Sequence, residues 1–236
     1  MNAGPDSEKY QNAGPPAPPE KDSGIIVSAD TYRENRIPGG QSRTRKWPVL
    51  HATDVPKINL DTWKLEIGGL VDNPLSFTWH EFQQLPRTQV FADFHCVTRW
   101  SRLGNLWEGV SGKEIMHRAR VQPAARYVIA TGYDGGWTTN LPLKDFQSED
   151  VLFCDLHDGD PLDADHGGPL RLIVPLLYAW KSAKWLRRID FIADDSPGYW
   201  ERCGYHNHGD PWIVNADNPD GERFQSPDNI PPGFYE

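Results

Sequence analysis

Residues 89–96, QVFADFHC, predict a β-strand that ends at a cysteine. Apolar side chains recur at every second position from Val90 to Cys96, which is the period of a strand with one face toward the core. The same alternation puts Asp93 and His95 on the opposite face of the strand. The sequence therefore predicts an inward-facing thiol at the end of a core strand.

Strand signals continue on both sides of this segment, and short helices interrupt them. The 21 Pro and 21 Gly residues are spread between short apolar segments, as in a β-rich domain with many turns. Capping-box signatures at Thr78/Glu81 and Ser111/Glu114 predict the starts of two short helices. Mostly strands with peripheral short helices indicate the α+β class. We predict the other strands at residues 63–67, 127–131, 151–156, 170–174 and 185–192.

Length and charge limit the kinds of function. The 236 residues suit one large domain or two small ones, and no Pro- or Gly-rich linker divides the middle. A formal charge of −9 argues against binding nucleic acid or an anionic membrane surface.

No apolar run approaches the roughly 20 residues that span a bilayer, and no secretory signal is visible. Three scattered Cys residues cannot form a full disulfide framework. We expect a cytoplasmic protein.

The two ends of the chain differ in composition from the rest. Residues 1–24 combine Pro, Gly, Ala, Asn and charged residues, which bury too little surface to offset their ordering entropy. We therefore expect a disordered N-terminal tail. Residues 216–236 are similar, although their three aromatic side chains can strap this second tail onto the domain. The predicted domain runs from residue 25 to residue 215.

Cys96 is the first candidate for a functional residue. It lies beside His95 and three residues before Arg99, and nearby positive charge lowers the pKa of a thiol. A thiolate is a soft ligand for transition metals. The alternative is a structural role, because free cysteines are among the most buried residues and most often only pack. Local sequence alone leaves both interpretations open.

A basic cluster after residue 165 is the second candidate. The stretch HGGPLRLIVP at 166–175 contains a Gly-Gly-Pro turn, which lets the backbone approach a ligand closely. The side chains of His166, Arg171, Lys181 and Lys184 would then converge on an anion such as phosphate. An ordinary turn that carries solvated basic side chains explains the same pattern.

Two Cys-x-x-His pairs form a third candidate. Cys154/His157 and Cys203/His206 together supply two thiols and two imidazoles, a formal zinc ligand set. Such a site would belong to a non-catalytic interaction module. Packing explains Cys154 equally well, since it lies in an apolar strand.

Taken together, four blocks of the sequence resemble the molybdopterin-binding domain of the sulfite oxidase family. The resemblance extends from about residue 25 to residue 212 and is strongest to haem-free bacterial sulfite-oxidase-like oxidoreductases. It implies a β-rich sulfite-oxidase-type molybdopterin-binding fold and a molybdenum–molybdopterin cofactor. The blocks are WPVLH at 47–51, FHCVTRWSRLGNLWEGV at 94–110, GYDGGWTTNLPL at 132–143 and HGGPLRLIVPLLYAWKSAKWLRRI at 166–189.

The resemblance also implies a role for each matching residue. Cys96 falls where the family's cysteine binds molybdenum through its thiolate, and Tyr205 lies near a tyrosine that points at the metal's oxo ligand. Asp134 matches an acidic residue beside the cofactor. The residues expected to hold the pterin or its phosphate are His51, His166, Arg171, Ser182, Ala183 and Lys184.

The chain departs from the sulfite oxidase pattern where substrate would bind. Val49 and Leu50 occupy a stretch in which sulfite oxidases carry an arginine, and residues 97–100, VTRW, replace an Asn-Arg-Arg pattern. Loss of a cation weakens an anion pocket, so sulfite is not assigned as the substrate. We expect Arg99 to compensate by orienting the substrate.

These features predict a molybdenum-dependent oxidoreductase that performs two-electron oxygen-atom transfer on a small oxyanion or an S- or N-oxide. The haem and dimerisation domains of animal and plant sulfite oxidases have no counterpart in this sequence. We therefore expect a separate electron-transfer partner and a monomer. One alternative uses the same cofactor to reduce methionine sulfoxide or other small S- or N-oxides. The other alternative is the zinc-binding module.

Overall fold

Two β-sheets form the framework of residues 14–225, the part of the chain that the computed structural model describes. Their strands follow the alternating and apolar segments of the sequence. In chain order they are β1 Ile26–Val27, β2 Ser42–Thr44, β3 Lys64–Gly69, β4 Leu75–Thr78, β5 Thr88–Cys96, β6 Trp100–Ser111, β7 Tyr127–Gly132, β8 Thr138–Pro142, β9 Leu152–His157, β10 Asp160–Pro161, β11 Arg171–Ile173 and β12 Leu186–Ile192.

Short helices connect the strands. The α-helices are α1 Trp79–Gln83, α2 Gly112–Ala119, α3 Leu143–Phe146 and α4 Tyr199–Arg202, and single 3₁₀ turns lie at Lys21–Ser23, Ala29–Tyr32 and Ala179–Lys181. The described residues therefore form the expected β-rich α+β fold with peripheral short helices.

The sheet that carries Cys96 is built around a long hairpin. Strands β5 and β6 pair antiparallel, with Cys96 opposite Trp100 and Phe94 opposite Arg102. The strand order is β1-β5-β6-β9-β10, with β2 added to β6 and β11 added to β9. Cys96 is thus the last residue of β5, immediately before the hairpin turn.

The second sheet packs against the first around the main hydrophobic core. Its order is β4-β3-β12-β7-β8, with β12 parallel to β3 and antiparallel to β7. Leu65 and Ile67, on one face of β3, are buried together with Val110 and Phe153 from the first sheet. Full burial of a large apolar side chain contributes roughly 1.5–3 kcal/mol. The shared core therefore holds the two sheets together.

Strands are present at the predicted positions, but both faces of β5 are buried. Asp93 and His95 are 1% and 0% exposed. Arg36 Nη2 lies 2.6 Å from Asp93 Oδ1, and the Trp212 ring packs edge-on against His95 at 5.6 Å between centroids. Segments that are distant in sequence therefore cover the face that the alternation placed opposite the core.

The two predicted helix starts differ in their capping. At α1 the Thr78 hydroxyl accepts a hydrogen bond from Glu81 N at 3.3 Å, and the Glu81 carboxylate accepts one from Thr78 N at 2.8 Å. This reciprocal capping box confirms the prediction. At α2 Ser111 accepts from the backbone N of Glu114, but the Glu114 carboxylate pairs with Arg118 at 2.6 Å instead.

The boundaries of the predicted domain stay a prediction. Residues 1–13 and 226–236 lie outside the described range, and the second of these segments contains Phe234 and Tyr235, two of the aromatic residues expected to strap the C-terminal tail. Within residues 14–225, no helix is both long enough and apolar enough to cross a membrane.

The described parts of both predicted tails contact the domain. The carbonyl oxygen of Pro16 accepts a hydrogen bond from Arg36 Nη1 at 2.6 Å. The Phe224 ring lies 5.3 Å from the Tyr205 ring between centroids, and the two residues form a β-bridge. The chain after residue 215 therefore reaches a predicted site residue.

Candidate active site

A cleft opens at the end of β5, where the hairpin turn meets loops from the rest of the chain. It encloses about 740 Å³ of empty space, including its open mouth. Much of its wall is aromatic, formed by Trp47, Trp100, Trp137, Trp180, Trp185, Trp200 and Tyr205. The predicted site residues that line it are His51, Cys96, Asp134, Arg171, Ser182, Lys184 and Tyr205.

Cys96 lines this cleft and begins a tight turn. Arg99 N donates a hydrogen bond to Cys96 O at 3.0 Å, and the Thr98 hydroxyl donates one to Cys96 Sγ at 3.1 Å. Burial raises the pKa of the Cys96 thiol, while Thr98 and, at longer range, Lys184 and Arg223 oppose that rise. A metal ion deprotonates a thiol that ligates it, so this buried sulfur is suited to binding a metal from the cleft.

Basic side chains collect on another part of the cleft wall. Lys184 Nζ donates hydrogen bonds to Leu50 O at 3.1 Å and Asp165 O at 2.7 Å, and it lies 3.1 Å from His51 Nδ1. Burial and then the charge of Arg171 lower the pKa of Lys184 to about 7. Burial and then Lys184 likewise lower the pKa of His51. An anion at this position would relieve the mutual repulsion of these groups.

Arg171, which lines the cleft, is held in place by two backbone carbonyls. Its Nη1 donates to His166 O at 2.8 Å and its Nη2 donates to Ser182 O at 2.9 Å. Its Nε is buried and has no hydrogen-bond partner among the described residues. Burial lowers the pKa of Arg171 to about 10. Arg171 Nε–H therefore remains as a donor for a ligand, while Nη1 and Nη2 are each held by a backbone carbonyl.

Asp134 faces the same wall from the loop after β7. Its Oδ2 accepts a hydrogen bond from the Thr53 hydroxyl at 2.9 Å, and its buried Oδ1 has no partner among residues 14–225. Burial raises the pKa of Asp134, and the Thr53 hydrogen bond opposes this rise. The unpartnered oxygen is an acceptor for an N–H group of a bound ligand.

Two predicted cofactor residues lie behind the cleft wall. The His166 ring stacks on Trp47 at 4.0 Å between centroids, and His166 Nε2 donates to Trp47 O at 2.9 Å. Ala183 is fully buried in the main core, where its carbonyl accepts a hydrogen bond from Leu172 N at 2.8 Å. Both residues therefore support the cleft wall, whereas the neighbouring Ser182 and Lys184 line the cleft itself.

The structure does not bring Arg99 into the cleft. This residue has a φ of 71°, and its Nη1 donates to Gly40 O and to the Asp220 carboxylate, both at 3.1 Å. The turn directs its side chain, which is 50% exposed, toward the C-terminal segment. The expected role of Arg99 in orienting the substrate therefore gains no support.

Lys181 also differs from the expectation that it joins an anion site. Its Nζ is fully buried, 2.6 Å from Glu201 Oε1, and donates to Asn140 O at 2.7 Å. The same Glu201 oxygen accepts a hydrogen bond from Trp180 Nε1 at 2.9 Å. Lys181 therefore forms a buried ion pair with Glu201, and the same carboxylate holds Trp180 of the aromatic wall.

The zinc alternative gains no support. Cys154 Sγ–H donates to Leu156 O at 3.1 Å, and burial raises the pKa of this thiol to about 12. His206 Nδ1 accepts hydrogen bonds from the backbone N of His208 and of Gly209. In the described part of the chain, no group of three or more His, Cys, Asp or Glu residues is arranged to hold a metal ion.

Sequence reasoning missed the aromatic wall and Arg223. The content of 10 Trp signals an aromatic cleft or core without showing which. Arg223 lies in the segment expected to be a tail, yet its Nη2 donates to Val97 O at 2.6 Å. No local pattern marks this arginine as part of the site.

The donor set of the cleft fits a molybdenum–pterin cofactor. A buried sulfur suits a transition metal, and the Lys184/His51/Arg171 group suits a phosphate. Arg171 Nε and Asp134 Oδ1 have no hydrogen-bond partner among the described residues. They provide one further donor and one further acceptor for a ligand. The cleft thus offers a soft metal ligand and an anion site on one continuous surface.

Comparison with known proteins agrees with this geometry. A family model described as "Oxidoreductase molybdopterin binding domain" matches residues 52–200, more than half of the chain. YuiH, an uncharacterised oxidoreductase of Bacillus subtilis, is 48% identical over 181 residues, which cover 76% of this chain and 91% of that protein.

More distant relatives extend the family. A protein of Azospira oryzae named as a protein-methionine-sulfoxide reductase subunit, YedZ1, is 27% identical over 66% of this chain and 59% of its own length. Nitrate reductase (NADH) 2 of Phaseolus vulgaris is 23% identical to this chain. The matched region covers 69% of this chain and 22% of that enzyme. The sulfane dehydrogenase SoxCD of Paracoccus pantotrophus shares the fold, with a TM-score of 0.57, 23% identity and coverage of 64% of this chain and 43% of that one.

The family match, over residues 52–200, includes the Cys96 turn together with Arg171 and Lys184 of the basic wall. The chain therefore belongs to the oxidoreductase molybdopterin-binding domain family of sulfite-oxidase type, and it is an oxidoreductase that uses a molybdenum–molybdopterin cofactor.

Proposed function

We propose that the enzyme performs two-electron oxygen-atom transfer on a small substrate, with Cys96 Sγ as the protein ligand of molybdenum. The observation that carries this proposal is a buried thiol in the lining of an aromatic cleft that also presents Lys184, His51 and Arg171. Bound molybdenum supplies the two-electron redox chemistry. The thiol anchors the metal, and the cations anchor the anionic end of the cofactor.

The remaining cleft residues have supporting roles in this proposal. Arg171 and Lys184 would hold the pterin phosphate, and Asp134 would accept a hydrogen bond from the pterin. His166 stacks on the Trp47 ring of the cleft wall and would hold that ring in place beside a bound cofactor. Tyr205 faces the cleft beside Trp200, at 4.9 Å between ring centroids, and orients the substrate.

The wall around Cys96 favours a neutral S-oxide as one substrate class. The side chains that cluster with Cys96 are Val97, Tyr178 and Trp180, with Trp100, Trp200 and Tyr205 packed against them. Aromatic rings make favourable contacts with sulfur, whereas an oxyanion needs a cation. Reduction of an S-oxide takes up two electrons and two protons and releases a thioether and water. The name of the Azospira relative agrees with this second candidate function.

We also propose that the enzyme exchanges electrons with a separate carrier. It would be a monomer and would be located in the cytoplasm. Size-exclusion chromatography coupled to light scattering tests the monomer directly. A mass twice that of the chain contradicts it.

Metal content and a substrate panel test the proposed function. Protein from a molybdate-fed host should contain near-stoichiometric molybdenum and pterin, by mass spectrometry and fluorescence. It should either oxidise sulfite with ferricyanide or reduce methionine sulfoxide with reduced benzyl viologen. Cys96→Ser should abolish turnover while circular dichroism stays unchanged, because a hydroxyl is a poor soft-metal ligand.

Cys203→Ser is the matched control. Cys203 is a partly exposed free cysteine outside the cleft lining, so this variant should keep full activity. Full activity in Cys96→Ser would overturn the assignment of the metal ligand. Stoichiometric zinc without pterin would overturn the proposed chemistry.

A further inference from the structure

The C-terminal segment reaches back to the turn that carries Cys96. Arg223 Nη2 and Nε both donate hydrogen bonds to Val97 O, at 2.6 and 3.2 Å. The two residues are 126 positions apart in sequence. Arg223 lies beyond residues 52–200, the range of the family match, so the family pattern assigns it no role.

Val97 occupies the middle of the Cys96 turn. The turn is closed by Arg99 N donating to Cys96 O at 3.0 Å, and the next side chain, Thr98, donates to Cys96 Sγ at 3.1 Å. The Val97 carbonyl belongs to the peptide group that leads into Thr98. A donor that fixes this carbonyl also fixes the plane of that peptide group, and with it the direction from which Thr98 approaches the sulfur.

We propose that Arg223 is a positioning residue that clamps the Cys96 turn and thereby sets how the Cys96 sulfur and its Thr98 hydrogen bond face molybdenum. This inference rests on the proposed role of Cys96 as the metal ligand. Hydrogen bonds around a ligating sulfur tune the metal, and their loss typically costs about 10–100-fold in metal affinity or activity.

The chemistry of arginine suits this clamp. Its planar fork directs two N–H donors at one oxygen, whereas lysine offers a single flexible ammonium. The segment is anchored on both sides of the contact: before Arg223, Glu222 N donates a hydrogen bond to Asp210 O at 2.9 Å, and after it Gln225 is held by two backbone carbonyls. Gln225 Nε2 donates to Glu201 O at 2.8 Å and to Tyr205 O at 3.0 Å, and the Arg223 guanidinium lies 5.1 Å from the Phe224 ring. The guanidinium therefore approaches Val97 from a fixed support.

The test compares Arg223→Ala and Arg223→Lys with the unsubstituted holoenzyme. Molybdenum content, the electron paramagnetic resonance (EPR) spectrum of partly reduced enzyme, and separate kcat and KM values are measured for each. Arg223→Ala should shift the molybdenum EPR signal and lower kcat by about 10–100-fold, with a smaller change in KM. Arg223→Lys should recover part of both, because it restores a donor and the charge.

Two matched controls separate the clamp from general effects. Arg202→Ala removes an exposed arginine that likewise donates to a backbone carbonyl, Pro197 O at 2.7 Å, and should leave the EPR signal and kcat unchanged. Gln225→Met loosens the same segment without removing the contact to Val97. An EPR shift in Gln225→Met as large as that in Arg223→Ala would overturn a specific clamp.

Failure of this inference is distinguishable from failure of the proposed function. An unchanged EPR signal and kcat in Arg223→Ala, beside a lost signal in Cys96→Ser, would overturn the clamp alone. A signal that persists unchanged in Cys96→Ser would overturn the ligand assignment and the clamp together. If Arg223→Ala does not fold, Arg223→Lys provides the comparison instead. An unchanged EPR signal and kcat in Arg223→Lys would overturn the proposal that both N–H donors of Arg223 are needed to hold Val97 O.

Discussion

At the scale of single residues, Lys184 shows how the fold changes the chemistry of a side chain. Burial and the neighbouring Arg171 lower the pKa of Lys184 from 10.5 to about 7. An anion held at the same point favours the protonated ammonium and reverses this effect. Binding of an anion beside Lys184 would therefore favour its charged form.

The lowered pKa predicts a pH dependence for cofactor-free protein. Between pH values of about 7 and 10.5 the unfolded chain holds the Lys184 proton and the folded chain has released it. Folding stability through this residue therefore rises with pH across that window. In urea denaturation, Lys184→Met should flatten the rise.

Lys113→Met is the control for this prediction, because Lys113 is an exposed lysine paired with Glu149 at 2.8 Å. It should keep the rise in the free energy of unfolding between pH 7 and pH 10. A Lys184→Met protein with the same pH dependence as the unsubstituted chain contradicts the lowered pKa.

At the scale of elements, a buried ion pair fastens the segment before β2 to strand β5. Arg36 Nε donates a hydrogen bond to Asp93 Oδ2 at 2.7 Å, and Arg36 Nη2 donates one to Asp93 Oδ1 at 2.6 Å. The backbone N of Gly104 also donates to Asp93 Oδ1, at 2.8 Å. Removal of one member of such a pair leaves a buried charge without compensation. The pair therefore helps to cover the face of β5 that carries Asp93.

Asp93→Ala should lower the free energy of unfolding by about 3–5 kcal/mol, measured by urea denaturation. The double variant Arg36→Met/Asp93→Leu should recover most of this loss, since apolar side chains of similar volume need no charge compensation. Glu149→Ala breaks an exposed pair and should have a much smaller effect. An Asp93→Ala protein as stable as Glu149→Ala would refute the structural importance of the buried pair.

At the scale of the whole molecule, His208 joins the C-terminal segment to α3. Its Nδ1 lies 2.8 Å from Glu222 Oε2, and its Nε2 lies 2.9 Å from Asp145 Oδ2. The hydrogen bond to Asp145, followed by other interactions with the two carboxylates, raises the pKa of His208 against the effect of burial. Protonated His208 therefore holds α3 and the C-terminal segment together.

The stabilising effect of His208 should be fully present below pH 6.5, its ordinary pKa, and should be lost as pH rises through the raised pKa of the folded state. His208→Gln should lower the free energy of unfolding at pH 6 by about 1–3 kcal/mol, and by less at pH 9. His117→Gln, at an exposed histidine of α2, should show no such pH dependence. Equal losses at both pH values in His208→Gln would refute the charged link.

Much of the fold and part of the site follow from local sequence. The alternation that ends at Cys96 predicts β5, and the Thr78/Glu81 pair predicts the start of α1, because strand period and helix capping are properties of a few neighbouring residues. The family motifs predict that His51, Arg171 and Lys184 belong to one site, and the structure places all three in the lining of one cleft. Their individual roles toward the cofactor stay predictions.

Only the tertiary structure decides which charged side chains reach the cleft. Lys181 follows Trp180 in a family block, yet it pairs with buried Glu201, whereas Arg99 is directed away to Asp220. Arg223 reaches Val97 across 126 residues. The sequence by itself determined the strands, the family and the cofactor, since these depend on local periodicity and short motifs. Which ion pairs form and which carbonyls are clamped depends on contacts between distant segments, and these exist only once the sheets have packed.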